Sequence, residues 1–209
     1  MSERDLVDQS GRPLGPRAVE TRRRLLEATE KLLAETTLRD LRVIDIAREV
    51  GTSAATFYQY FRDVDDVVLC VAEQVSNEIP GMLELIDGPW QGEQGLAKAR
   101  SIVEAFIEHW DTHQAVLRVR NLASDEGDER FRRLRAKTMT PLLLQLARVI
   151  EEQRVPDDAQ GQPAAAAAAM AAILERLAAY HRELERVGVT REDLVKSSAH
   201  ILHRTVTGE

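Results

Sequence analysis

Apolar residues recur along this chain at spacings of three and four, and no stretch keeps a period of two. That pattern predicts an all-α protein. Its sharpest segment is residues 42–63, RVIDIAREVGTSAATFYQYFRD. Val43, Ile46, Ala47 and Val50 fall at i, i+3, i+4 and i+7, the one-sided stripe of a short amphipathic helix. Gly51 is placed to end that helix, because glycine takes the left-handed conformation cheaply. Ser53 is a good N-cap for a second short helix carrying Phe57 and Phe61 on its buried side. Ala47 is small, as a close helix crossing requires. A helix, a glycine turn and a second helix form a helix-turn-helix, whose second helix enters the major groove of DNA.

The flanking pattern supplies the other elements. A helix is expected from about Ala18 to Ala34, with Leu25, Ala28 and Leu32 on one stripe. Asp63 reads as the N-cap of a fourth helix, with Asp65 and Asp66 complementing its dipole. Pro80 and Gly81 should end or kink it, and Gly88-Pro89-Trp90-Gln91-Gly92 reads as a break. Further helices are predicted at 95–111, 114–123, 128–154, 163–187 and 191–206, about nine in all. The helix at 163–187 opens on a run of alanines and carries Met170, Leu174, Leu177, His181 and Leu184 on one stripe. Gly188 stops it, and Thr190 with Asp193 forms a capping box for the last helix, whose contact positions are Val195, Ser198 or Ala199, Leu202 and Val206. Two such helices with small contact residues suit the four-helix interface of a homodimer. Three segments are expected: a flexible arm at 1–16, rich in Gly and Pro; a helix-turn-helix DNA-binding domain at 17–63; and a larger ligand-binding and dimerisation domain at 64–209.

Composition narrows the class. The 209 residues are 44% hydrophobic and 30% charged, with no apolar run long enough to span a membrane. The first residues, MSERDLVDQSGRPLGPR, lack the apolar region of a signal peptide. The single cysteine, Cys70, excludes an internal disulfide framework and fits a reducing cytoplasm; beside Val67 and Val71 it reads as a buried structural thiol. The net charge of −7 is unevenly spread: −1 over residues 1–16, +2 over 17–62 and −8 over 63–209. The mildly basic part is the expected reading head, so affinity for double-stranded DNA should rest on two copies and on local arginines.

Candidate chemistry follows from these positions. Thr52, Ser53 and Thr56 offer hydroxyls to backbone or base edges, and Ala54 and Ala55 offer methyl groups to thymine. Gln59 suits adenine, whose N6 and N7 its amide pairs with bidentately. Tyr58 and Tyr60 carry hydroxyls able to reach phosphates, and Arg17 and Arg42 at helix starts bring guanidinium groups to the same task, while any of Arg22, Arg23 and Arg24 is as apt to be an ordinary solvated charge. In the larger domain Phe106, Trp110, Leu117, Met139, Leu143 and Tyr180, with His113, Asn121 and Thr138 as polar members, have the composition of a small-molecule cavity. Pro141 would kink their helix, and ordinary core is the competing account of each. His109 and His113 lie four apart and His200 and His203 three apart, with no cysteine or third ligand near either pair in sequence, so no metal is expected. No catalytic or cofactor motif is present, so neither an enzyme nor a cofactor is expected.

At Ile46, Ala47, Gly51, Ser53, Thr56, Phe57, Tyr58, Tyr60 and Phe61, together with the preceding helix RRRLLEATEKLLAE, the chain resembles the tetracycline-repressor (TetR) family of bacterial regulators. The specific likeness covers residues 17–70; beyond it, only length and helical character agree. The resemblance implies phosphate contacts by Tyr58 and Tyr60. It also exposes two departures: Val64 stands where a phosphate-gripping lysine is common, and Arg42 where a threonine often caps. Arg62 is the expected replacement for that lysine. The implied function is a homodimeric repressor released from a palindromic, inverted-repeat operator by a small hydrophobic effector. The alternative is a ligand-independent DNA-binding or architectural protein.

Overall fold

In the computed structural model of this chain, residues 9, 12–154 and 161–208 are described. Most of the arm expected at 1–16 therefore lies outside the described residues. Among the described residues there are nine helices and no strand: α1 (Pro16–Glu35), α2 (Val43–Val50), α3 (Ala54–Tyr60), α4 (Val64–Ser76), α5 (Ile79–Leu83), α6 (Gly92–Asp125), α7 (Glu129–Gln153), α8 (Pro163–Glu185) and α9 (Arg191–Thr207). No helix of the described residues is long and apolar enough to cross a membrane.

One boundary differs from expectation. Pro80 and Gly81 do not break α4, which stops at Ser76; they lie inside α5, with proline in its first turn, where a missing N–H costs nothing. The helices expected at 95–111 and 114–123 are both present, as the two halves of α6, which meet at a kink at His113, whose φ of −119° and ψ of 24° leave the helical region. Pro141 lies within α7, as the helix expected at 128–154 requires.

The chain packs as two compact units: residues 1–77 with 115–135, and residues 78–114 with 136–209. The division runs through α6 and α7, and α4 belongs with the three N-terminal helices. In the first unit α1 packs on α2 and α4, and α2 on α3. Leu25, Leu26, Ile46, Ala47, Phe57, Phe61, Val67, Val68 and Val71 are all buried there. Gly51 has φ 72° and ψ 36°; its N–H donates to Arg48 O (3.0 Å) and the Thr52 N–H to Ala47 O (2.9 Å), the paired bonds that close a helix end on glycine. Asp63 caps α4 by accepting from Asp66 N at 2.7 Å, as its sequence position implied.

The second unit turns on Trp90, fully buried in the loop that was read only as a break. Its indole Nε1–H donates to Ile86 O at 2.9 Å, its own carbonyl accepts from His203 Nε2 at 2.8 Å, and Lys98 Nζ lies 5.7 Å from its ring centroid. Burial lowers the Lys98 pKa, with Asp87 opposing that shift. α8 and α9 pack together, burying Met170, Leu174, His181, Val195, Ala199, Leu202 and Val206. Thr190 caps α9 through Asp193 N at 3.1 Å.

Two glycines are required for different reasons. A Cβ on Gly51 would meet nothing within 4 Å, so only its positive φ opposes a side chain. A Cβ on Gly95 would stand 1.6 Å from Trp90 O, where no L side chain fits. Gly51→Ala should therefore cost about 1–2 kcal/mol, and Gly95→Ala should cost more, about 3 kcal/mol or above, because backbone must move. Urea unfolding of the intact chain measures both; equal losses would refute the distinction.

Candidate nucleic-acid interface

α3 is only seven residues long and cannot hold itself in water. Its inner face supplies the anchor. Phe57 and Phe61 are fully buried, with ring centroids 5.5 Å apart, and the Arg22 guanidinium lies 5.1 Å from the Phe61 centroid. Ser53 caps the N-terminus: its Oγ accepts from Thr56 N at 3.2 Å and lies 3.1 Å from Thr56 Oγ1. Two of the three hydroxyls proposed for base or backbone contact, those of Ser53 and Thr56, are therefore engaged in holding the helix.

The outer face carries the residues expected from the sequence to read bases and hold phosphates. Tyr58 is 54% exposed, its ring edge-on to Phe57 at 5.6 Å. Ala55 and Gln59 are exposed, while Thr52, Ala54, Thr56 and Tyr60 are half-buried. Gln59 thus stands between two tyrosines on a face whose opposite side is pinned into the core. Arg42 is exposed at the N-cap of α2 and makes no capping bond with its side chain. Arg17 is exposed in the first turn of α1, a turn without acidic residues. A cation at a helix N-terminus is opposed by the dipole, and a phosphate placed there offsets that cost.

The other arginines have internal tasks. Arg22 is buried, with its Nη2 donating to Cys70 Sγ at 3.7 Å, which also accounts for the buried thiol. Arg23 pairs with Glu20 at 2.6 Å and also with Glu27, holding the Glu20 carboxyl below its ordinary pKa. Arg24 Nη2 donates to Val50 O at 2.8 Å, tying α1 to the end of α2. Arg62, expected to grip phosphate, instead binds Asp66 through its side chain (2.8 Å) and its backbone N–H (3.1 Å). That bond raises the Arg62 pKa. The replacement proposed for the lysine absent at Val64 is thus already committed to a carboxylate.

One contact left no signal in the sequence. The Gln9 N–H donates to Gln59 O at 3.3 Å, and with its amide turned so that oxygen faces the helix end, Oε1 accepts from Phe61 N (3.2 Å) and Arg62 N (2.7 Å). The arm, expected to be free, is fastened at that residue.

The residues proposed for a cavity are dispersed. Phe106, Trp110 and Thr138 are buried and Met139 and Leu143 half-buried in the second unit. Leu117 and Asn121 fall in the first unit, where Asn121 Oδ1 accepts from Arg120 Nε at 3.1 Å. Tyr180 is 42% exposed under the Arg176 guanidinium (4.2 Å), so it lies on the outer side of α8 and lines no interior. His113 Nε2 lies 2.9 Å from Glu78 Oε2. That contact corrects the view that the His109–His113 pair has no third partner: Glu78, distant in sequence, joins it. His109 is also buried, and not a surface histidine.

Comparison with known proteins agrees with this geometry. Residues 25–69 match the family described as bacterial regulatory proteins, tetR family, and residues 82–209 match the tetracyclin repressor-like C-terminal domain. Among solved structures, a tetR-family transcriptional regulator from Streptomyces coelicolor superposes with TM-score 0.67 at 14% identity, covering 92% of this chain and 80% of the other. The fatty acid degradation regulator FadR from Bacillus halodurans gives 0.66 at 14% identity over 93% and 97% of the two chains. FadR from Bacillus subtilis, in complex with stearoyl-CoA, gives 0.65 at 16% identity over 90% and 98%.

The division of labour among the arginines is testable. Arg24→Ala removes a charged bond to a helix-end carbonyl and should cost about 1–2 kcal/mol. Arg23→Ala breaks only exposed pairs and should cost less than about 0.5 kcal/mol. Chemical denaturation of the two variants compares them; an equal loss would deny Arg24 its capping role.

Proposed function

The chain belongs to the TetR family of bacterial transcriptional regulators, and on that footing we propose that it is a homodimeric repressor that leaves an inverted-repeat operator when a small hydrophobic ligand binds. The observation that carries the DNA half of this reading is the two-faced α3, with Phe57 and Phe61 buried beneath and Tyr58 and Gln59 presented outward. Gln59 reads an adenine in the major groove, Ala54 and Ala55 lie against thymine methyls, and Tyr58, Tyr60, Arg17 and Arg42 hold phosphates. Thr52, Ser53 and Thr56 set the entry of the helix. Arg62 reaches phosphate only by sharing or leaving Asp66.

Dimerisation is supported by the outer side of the α8–α9 pair. Ile173, Tyr180 and Ile201 are 41%, 42% and 49% exposed there, apolar groups that a second copy would cover. Tyr180 thereby passes from the ligand set to the interface. Two reading heads in a dimer meet half-sites ~34 Å apart, one helical turn of DNA.

The ligand half rests on Phe106, Trp110, Thr138, Met139 and Leu143 in the second unit. Trp110 Nε1 is buried and has no acceptor among the described residues, so an apolar ligand with one acceptor oxygen would satisfy it. The stearoyl-CoA held by FadR from Bacillus subtilis supports a long apolar class of effector. A ligand preferring the conformation with mismatched half-sites needs only ~1–3 kcal/mol of coupling to weaken operator binding roughly 5- to 150-fold.

Selection of bound duplexes from a random pool should return an inverted repeat. Gln59→Ala should relax preference at one base pair per half-site, a loss of ~1–3 kcal/mol in discrimination. Arg42→Ala should weaken all sequences alike and lower the salt slope by about one. A uniform loss from Gln59→Ala would move that residue to the backbone. Failure of acyl-CoA and other hydrophobic compounds to release the complex or raise the melting temperature would favour ligand-independent binding.

A further inference from the structure

We propose that Glu78, His109 and His113 form a binding site for a late first-row divalent cation, with Zn²⁺ as its occupant. One ligand atom from each residue lies within 4.8 Å of the other two. Glu78 Oε2 is 2.9 Å from His113 Nε2 and 3.6 Å from His109 Nδ1. Two ligands at zinc bond lengths of ~2.0–2.2 Å in a tetrahedron lie about 3.3 Å apart, between those two separations. The imidazoles sit side by side, with centroids 5.2 Å apart and planes at 55°. A side-chain rotation of about an ångström closes the span to coordination distance.

The donor set suits a cation. A single carboxylate oxygen faces one nitrogen of each imidazole, at 2.9 Å and 3.6 Å. A cation serves all three donors at once. Two histidine nitrogens and a carboxylate oxygen are the donor set of three-ligand zinc sites, which leave a fourth position for water or a ligand group.

His113 sits at the kink where the two halves of α6 meet. Glu78 enters from the residue preceding α5, two positions past the end of α4, and its side chain is half exposed, which leaves an approach for the ion. His109 is buried and the His113 side chain is only 12% exposed, so Glu78 is the open ligand of the three.

The inference does not depend on the DNA reading, and its test uses none. The intact chain is titrated with Zn²⁺ by calorimetry and with Co²⁺ by visible d–d absorption, which reports coordination directly. The expected result is one equivalent bound, with Glu78→Gln and His113→Gln each weakening affinity at least about 10-fold and His200→Ala leaving it unchanged. Helical circular dichroism checks that each variant is folded, and Glu78→Gln, at a half-exposed position, keeps the test decisive if a histidine variant misfolds. Wild-type affinity in the folded Glu78→Gln and His113→Gln variants, loss of binding in His200→Ala, or a Kd weaker than about 1 mM would overturn the assignment.

Discussion

The reading head depends on the burial of two aromatic rings. A helix as short as α3 has no stability of its own, because nucleation consumes most of what its few hydrogen bonds return. Phe57 and Phe61 supply what is missing, each fully removed from water and packed on the other. Everything outward on α3 is positioned by that inward anchorage. The Ser53 cap and the closed glycine turn at Gly51 determine where the helix begins, and Arg22 over the Phe61 ring ties it to α1. Shape and orientation here are consequences of packing, and the exposed residues need only be chemically apt.

Much of this was legible in the chain. The 3–4 spacing of Val43, Ile46, Ala47 and Val50, the glycine that follows, and the caps at Ser53, Asp63 and Thr190 are local features, and each formed as read. Local signals suffice where the partner is a few residues away. The family likeness at residues 17–70 added the expectation of DNA binding, and the match over 82–209 extends that membership through the rest of the chain.

What the sequence concealed depends on distant partners. Arg22, Arg23 and Arg24 look alike as a run, yet one stacks on an aromatic ring, one pairs on the surface and one caps another helix. Arg62 is a nearer case: its partner Asp66, only four residues on, reads in the sequence as a helix-dipole residue and not as a pair. Pro80 reads as a breaker because proline both stops and starts helices, and only the position of the Ser76 terminus distinguishes the two. Glu78 beside His109 and His113 is invisible for the same reason: the turn after α4 creates the proximity, and no spacing rule contains it. The cavity residues carry the weakest signal, since apolar side chains at helical spacing are equally good core, and the outward face of Tyr180 followed from α8 packing on α9.

The fastening of Gln9 to the C-terminal end of α3 has a practical consequence. Any extension joined to the amino terminus starts within eight residues of that tether, a contour of roughly 27 Å. A purification handle attached there is held in the neighbourhood of the proposed recognition helix, where basic or histidine-rich tags lend affinity of their own. Handles on the other terminus, beyond α9, keep measured binding constants attributable to the protein.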